Sequence, residues 1–197
     1  MTARCKSVGI VWAQYGPYHL ARAAALVALA DPAKVHPLEL ANHSTDYQWH
    51  RSNGAGQVTT ICPHSAAEQL SFAKVLFSTR RKFAELKIEV CILPSYAPRQ
   101  SLAALLAAKS LGIRTVMMNE SHAGTARATG LSAWVKRRLV GLFDAALVGG
   151  QPQKRHFVSL GMPAERIFTG YDAVDNDYFA RRADEVKNQK SEIRNQY

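Results

Sequence analysis

Residues 88–118 read IEVCILPSYAPRQSLAALLAAKSLGIRTVMM and carry the pattern that decides the fold. Ile88 to Pro94 is an apolar run of strand length, and Ser101 to Leu111 is a helix-forming run of alanine and leucine that ends at Gly112. Thr115 to Met118 is a second short apolar run. This order predicts two parallel strands that are joined by a crossover helix.

The same alternation continues on both sides of this unit. Towards the amino terminus it predicts a strand at Val8 to Trp12, a helix at Tyr18 to Leu29 and a strand at Val35 to Leu40. Further along, it predicts strands at 58–62, 145–148 and 166–169 and helices at 65–87, 131–143 and 152–160. We therefore predict a Rossmann-like α/β domain with a doubly wound, mainly parallel sheet over residues 1–180, followed by a polar helix or linker at 181–197.

Two of these helices carry apolar residues at helical spacing. In the helix at 65–87, one side is shared by Leu70, Ala73, Phe77 and Ala84. The helix at 131–143 has a similar stripe, formed by Leu131, Val135, Leu139 and Leu142. In the helix at 65–87, charged residues such as Lys74 and Arg81 point elsewhere.

Composition limits the classes of protein that fit. The 197 residues are 47% hydrophobic and 20% charged, which is typical of a globular chain, and no apolar run approaches the ~18 residues of a membrane span. Three separated cysteines show no C-x-x-C pair, as expected of a cytoplasmic protein. The net charge of +10 favours an anionic partner: a phosphate group, an anionic membrane surface or nucleic acid.

Several motifs of nucleotide and ester chemistry do not occur. The sequence has no G-x-G-x-x-G after the first strand, no P-loop and no G-x-S-x-G, which argues against nicotinamide enzymes, P-loop hydrolases and esterases. In a doubly wound sheet, ligands bind outside the carboxyl ends of the strands. We therefore look for function in the loops that follow the strands.

Two such loops are rich in polar residues. After the first strand, Gly16 and Pro17 suit the start of a helix whose amide end favours a diphosphate, although a plain strand-to-helix turn explains them equally well. After the strand at Thr115 to Met118, residues 119–127 read NESHAGTAR and offer groups for a polar substrate. The alternative is that this loop makes turn hydrogen bonds and merely exposes His122.

The carboxyl-terminal part of the chain resembles a known family. The stretches FDAALVGGQP (143–152), LGMPAERIF (160–168) and GYDAVDNDYF (170–179) are together similar to the amino-terminal half of retaining GT-B glycosyltransferases of family four. Ala173 stands where glycine is common in that family. The resemblance implies a Rossmann-like half of a GT-B fold, and transfer of a sugar from a nucleoside diphosphate sugar to an acceptor hydroxyl with retention at the anomeric carbon.

The resemblance also implies roles for individual residues. Gly16 would contact the donor diphosphate, and His122 would be the catalytic histidine near the reacting sugar. The residues that would border the acceptor are Tyr18, His19, Arg22, Glu120, Ser121 and Arg127. The family requires neither a metal ion nor another cofactor.

The family places most of the nucleotide-sugar site in a carboxyl-terminal domain, which has no counterpart in these 197 residues. We therefore expect an acceptor-side domain that is inactive or nearly so by itself, with a saccharide or lipid-linked acceptor and no nucleic acid. The basic run Lys136 to Arg138 beside Trp134 could contact an anionic membrane, which would make the protein peripheral at the inner face, or could be a solvated helix surface. A non-enzymatic module that binds nucleic acid through this basic surface is the competing hypothesis.

Overall fold

The computed structural model of the protein describes residues 6–31, 34–45, 58–122, 124, 130–171 and 175–194. Seven strands alternate with six helices over these residues. The strands are β1 (Val8–Trp12), β2 (Val35–Glu39), β3 (Thr59–Thr60), β4 (Val90–Pro94), β5 (Arg114–Asn119), β6 (Ala145–Val148) and β7 (Ile167–Thr169). The helices are α1 (Pro17–Leu29), α2 (Phe72–Glu85), α3 (Arg99–Ser110), α4 (Leu131–Val140), α5 (Gln151–Ser159) and α6 (Asn176–Arg194).

The seven strands form one parallel sheet in the order β3-β2-β1-β4-β5-β6-β7. Ile10 of β1 lies opposite Pro37 of β2 on one side and Ile92 of β4 on the other. The chain builds outwards from β1 in one direction, then returns to β4 and builds outwards in the other. The predicted doubly wound α/β fold is confirmed, and its topological switch point lies between β1 and β4.

The two faces of the sheet are covered unequally. Right-handed crossovers place helices on opposite faces when the chain moves in opposite directions along the sheet. One core cluster accordingly joins inward residues of β4 to β6, such as Leu93 and Val148, to Phe83 of α2 and Phe157 of α5. The other cluster contains Ile10, Met118 and Ala23 of α1. Among the described helices, α1 is the one that contributes to that second cluster.

The residues that α2 buries differ from the apolar stripe seen in the sequence. The helix begins at Phe72 and is capped by Ser71, whose hydroxyl accepts a hydrogen bond from the Lys74 N–H. It buries Val75, Thr79 and Phe83. Phe77, which belongs to the predicted stripe, is 67% exposed. Both stripes have helical spacing, so the contact with α3 decides which one is buried.

The apolar stripe of α4 is exposed at its amino-terminal end. Leu131 and Val135 are exposed, whereas Val140 and the following Phe143 are buried in the core. The helix thus contacts the core mainly through its last turn. At the other end of the chain, α6 is one continuous helix that spans residues on both sides of position 180.

No helix within the described ranges combines the length and the apolar character that crossing a bilayer requires.

Candidate functional site at the carboxyl edge of the sheet

The turn between β1 and α1 is closed by its own histidine. Gly16 is the N-cap residue of α1, and Pro17 occupies the first helical position, where its missing N–H is not needed. The Nδ1 atom of His19 accepts a hydrogen bond of 3.0 Å from the Gly16 N–H. This is one half of a capping box; glycine has no side chain to supply the other half.

His19 lies in an aromatic cluster. Its ring stacks on Trp12, with centroids 3.9 Å apart and planes at 24°, and the ring of Tyr18 meets it edge-on at 4.2 Å. Burial, together with the positive charge of Arg22, lowers the pKa of His19 from 6.5 to about 4. His19 is therefore neutral near pH 7, with a free electron pair on Nδ1 for the Gly16 N–H and its proton on Nε2.

A buried carboxylate supports this turn from behind. Glu39, at the end of β2, is only 1% exposed. It accepts hydrogen bonds from the Tyr15 N–H at 3.3 Å and from the Thr60 hydroxyl at 2.7 Å. The Tyr15 hydroxyl donates to the carbonyl of Ile10 at 2.9 Å. The sequence analysis did not select Glu39, although a charged residue between Leu38 and Leu40 within a predicted strand was the available signal.

A polar hollow of about 400 Å³ opens where β4 and β5 end. Its lining includes Ser95, Glu120 and Ser121 together with the buried side chain of Asn119. Hydroxyl, amide and carboxylate groups thus converge at the carboxyl edge of the central strands, which is where the sequence analysis placed the ligand.

Asn119 ties the two loops of this hollow together. Its Nδ2 donates to the Ser95 hydroxyl at 2.9 Å, and its Oδ1 accepts from the Ser121 N–H at 2.6 Å. Ser95 has a φ of +53°, a left-handed conformation that costs a non-glycine residue roughly 1–2 kcal/mol. Such strain tends to persist at functional sites, where the surrounding contacts hold it in place. The sequence analysis directed attention to the loops that follow the strands, including the one that begins at Ser95, but the residue type gives no sign of this conformation.

An apolar cavity of about 250 Å³ adjoins the polar hollow beneath α1. Ile10, Ile92 and Leu147 line it from the sheet. The two hollows share Met118 and Tyr171 in their linings, so they are neighbours along one rim. Arg22 borders the cavity, with its guanidinium 4.7 Å from the ring centroid of Tyr171 and 5.5 Å from that of Tyr18.

The predicted site residues divide into groups. His19 and Arg22 line the apolar cavity, and Glu120 and Ser121 line the polar hollow. Tyr18 and Gly16 lie beside His19 in the β1–α1 turn. Arg127 lies outside the described residues.

His122 is not among the residues that line either hollow. Its Nδ1 accepts from the Gly124 N–H at 3.2 Å. On α5, burial and electrostatic interactions with Lys136 and His122 lower the pKa of His156. The Gln153 side chain also reaches this loop and donates to the carbonyl of Glu120 at 3.4 Å.

Within the described ranges, no three His, Cys, Asp or Glu side chains come together in a way that could hold a metal ion.

Comparisons with known proteins identify the fold. No protein-family model and no curated protein sequence matches the chain. Among solved structures, it is similar to S. aureus MnaA in complex with UDP, with a TM-score of 0.60, 11% identity, and coverage of 87% of this chain and 50% of that one.

Two UDP-GlcNAc 2-epimerases give the same result. The enzyme from Neisseria meningitidis, solved with UDP-GlcNAc bound, has a TM-score of 0.56 at 10% identity and covers 82% of this chain and 45% of its own. The enzyme from Methanocaldococcus jannaschii has a TM-score of 0.54 at 14% identity, and the match covers 82% of this chain and 44% of that one.

These similarities confirm that the chain has the Rossmann-like fold of one half of a GT-B protein. The chain spans about half the length of these structural neighbours, between 44% and 50%. The more specific assignment to the retaining glycosyltransferases of family four stays a prediction.

Proposed function

We propose that the chain is the acceptor-side half of a retaining glycosyltransferase, which transfers a sugar from a nucleoside diphosphate sugar to a saccharide or lipid-linked acceptor. The observation that carries the proposal is the polar hollow at the ends of β4 and β5. Hydroxyl, amide and carboxylate groups are those that hydrogen-bond sugar hydroxyls. The hollow lies beside the switch point of the sheet, where α/β folds bind their ligands.

The neighbouring apolar cavity supports an acceptor that also has an apolar part. Its volume of about 250 Å³ exceeds the ~150 Å³ of an engineered cavity that binds benzene. Because the two hollows share Met118 and Tyr171, one acceptor can place its sugar in the polar hollow and a hydrocarbon chain or ring in the apolar cavity. Arg22, at the border, suits a phosphate that links these two parts.

The loops around the hollow supply the remaining roles in this proposal. Gly16 and the amide end of α1 face the donor diphosphate, and Tyr18 and His19 border the acceptor beside them. We further propose that His122 and Arg127, which belong to the segment after β5, act on the reacting sugar, although His122 lines neither hollow in this structure. Since His19 occupies the Gly16 N–H, a diphosphate at this turn either uses other amides of α1 or displaces the imidazole.

The proposed reaction needs a second wall. Holding two substrates in reactive geometry supplies about 7–11 kcal/mol of barrier reduction, which requires contacts from both sides of a cleft. We propose that a second Rossmann-like half, in the same or another polypeptide, binds most of the nucleotide sugar. The chain alone is then inactive or nearly so.

The test uses the tagged chain, expressed in its native cells and recovered with the polypeptide that completes it. Radiolabelled UDP-, GDP- and ADP-sugars are supplied with membrane lipids or saccharides as acceptors, and product is measured by chromatography. We expect acceptor-dependent transfer by the recovered complex and an axial anomeric linkage by NMR. Epimerisation of the nucleotide sugar without an acceptor, or an inverted linkage, would contradict the proposal.

Matched variants connect the activity to the hollow. Glu120→Gln changes a carboxylate that lines it, whereas Glu85→Gln changes an exposed carboxylate on α2. Loss of one hydrogen bond to a sugar hydroxyl should raise the acceptor KM about tenfold in Glu120→Gln and leave Glu85→Gln unchanged. Equal values in the two variants would remove Glu120 from the site. For His122→Ala, we expect lower turnover with unchanged stability.

A further inference from the structure

Helix α4 turns its apolar side to solvent. Leu131, Trp134 and Val135 are 77%, 54% and 41% exposed. Their spacing of three and four residues places them on one side of the helix. An amphipathic helix of a globular domain normally directs such a stripe to the core. In α4 the core contact is made instead by Val140, which is 1% exposed.

Basic residues border this apolar stripe. Arg138 continues the same side of the helix, one turn after Trp134, and its guanidinium lies 5.1 Å from the centroid of the indole ring. Arg137 is exposed beside it. Residues 131–160 contain a single acidic residue, Asp144, and its carboxylate is engaged by Lys109. The outer surface of α4 therefore combines apolar and positively charged side chains, and the one acidic residue in positions 131–160 is paired with Lys109.

We propose that this outer surface of α4 docks on an anionic lipid bilayer. Leu131, Trp134 and Val135 enter the boundary between headgroups and acyl chains, as the apolar face of an interfacial helix does. Arg137 and Arg138 contact lipid phosphates, with the stem of Arg138 lying along the indole. The indole of Trp134 suits the interface, because its ring is apolar and its N–H can reach a headgroup.

The apolar side chains distinguish a bilayer from nucleic acid as the partner. A phosphate backbone would satisfy Arg137 and Arg138 but would leave Leu131 and Val135 facing water or a charged groove. A bilayer accommodates the charges and the apolar groups at the same depth. This inference stands apart from the proposed sugar transfer, because none of the α4 residues lines either hollow and the test measures binding alone.

The experiment is sedimentation of the purified chain with vesicles of phosphatidylglycerol and phosphatidylcholine, compared with phosphatidylcholine alone. We expect binding to the anionic vesicles that weakens as salt is raised. Each basic residue near an anionic surface strengthens binding about fivefold, so Arg137→Gln/Arg138→Gln should weaken it about thirtyfold. The matched control is Arg80→Gln/Arg81→Gln on α2, where both arginines are also exposed, and it should change binding by less than about threefold.

A second pair of variants tests the apolar contribution. Trp134→Gln should lose most binding to anionic vesicles, whereas Phe77→Gln, which removes an exposed aromatic ring from α2, should keep it. Because Trp134 and Phe77 are both exposed, neither change should lower the melting temperature, and thermal unfolding checks this. Equal vesicle binding by the α2 and α4 variants would overturn the proposal. The proposal would also be overturned if the chain bound a random-sequence DNA duplex more tightly than vesicles and if Trp134→Gln left that DNA binding unchanged.

Discussion

The imidazole of His19 and the backbone N–H of Gly16 are joined by a hydrogen bond of 3.0 Å, so a side chain of the first helical turn holds the donor that a diphosphate would be expected to use. The same ring stacks on Trp12 and lines the apolar cavity. His19 thus connects the amide end of α1 with the cavity beneath that helix.

The first prediction concerns pH and His19. Between pH 6.5 and about pH 4, His19 is protonated in the unfolded chain but neutral in the folded chain. The free energy of unfolding therefore falls as the pH falls through this range. The full difference is about 3 kcal/mol. His19→Gln keeps an acceptor for the Gly16 N–H but does not titrate. Urea unfolding as a function of pH should therefore show a shallower loss in the variant.

Two other histidines also have lowered pKa values. Burial lowers the pKa of His36 and contributes most to the lowered pKa of His156, so the original chain and the His19→Gln variant should both retain some pH dependence. The difference between the two curves isolates His19. Parallel curves would show that the imidazole is not held neutral in the folded protein.

The second prediction concerns Ser95. Ser95→Ala leaves the buried Asn119 amide without its acceptor, which should destabilise the fold by about 1–3 kcal/mol. Ser95→Gly loses the same hydrogen bond but adopts the φ of +53° without strain, so it should be more stable than the alanine variant by about 1 kcal/mol. Denaturant unfolding of both variants measures this difference. An alanine variant as stable as the glycine variant would exclude backbone strain at this position.

The third prediction compares two phenylalanines of α2. Phe83 is fully buried, so Phe83→Ala should cost about 3–5 kcal/mol of unfolding free energy. Phe77→Ala removes the same ring from an exposed position and should change stability by no more than about 0.5 kcal/mol. Chemical denaturation tests the observed packing face, since a helix that buried the side with Phe77 would reverse this order.

The fourth prediction concerns Asp144, which connects α3, β5 and β6. Partial burial opposes ionisation of its carboxyl, but hydrogen bonds from Lys109 and Thr115 outweigh this effect and lower its pKa below 3.8. Because the pKa is lower in the folded chain, ionised Asp144 stabilises the fold at pH values above its ordinary pKa. This stabilisation is lost as the pH falls through the pKa of the folded state. Asp144→Asn should therefore be less stable than the original chain at neutral pH, and the gap should narrow in acid. A constant gap in acid unfolding would contradict this assignment.

Much of the fold could be predicted because strands and helices follow from local patterns. Apolar runs such as Val8 to Trp12 and the alanine-rich helix before Gly112 need no distant contact to be recognised. The packing faces of α2 and α4 could not be predicted. Each helix carries more than one apolar stripe, and the contact with the rest of the core selects between them.

The candidate site divides in the same way. The sequence indicated the polar loop after β5 and the turn at Gly16, since residue types and loop positions identify both. Ser95 and Tyr171 lie in loops that follow strands, where the sequence analysis looked for function, but their contacts could not be predicted, and Glu39 was missed. Ser95 follows β4 and meets Asn119 of the adjacent strand β5, and Tyr171, after β7, meets Arg22 of α1.

The sequence by itself determined the order of strands and helices and, through the handedness of crossovers, a wound parallel sheet with its ligand edge at the carboxyl ends of the strands. Only the tertiary structure decided which groups meet at that edge: His19 accepts a hydrogen bond from Gly16, and Asn119 donates one to Ser95. The physical reason is the distance along the chain over which each interaction acts. Backbone preferences act within a few residues, whereas a hydrogen bond or a buried contact depends on groups that folding brings together from distant parts of the chain.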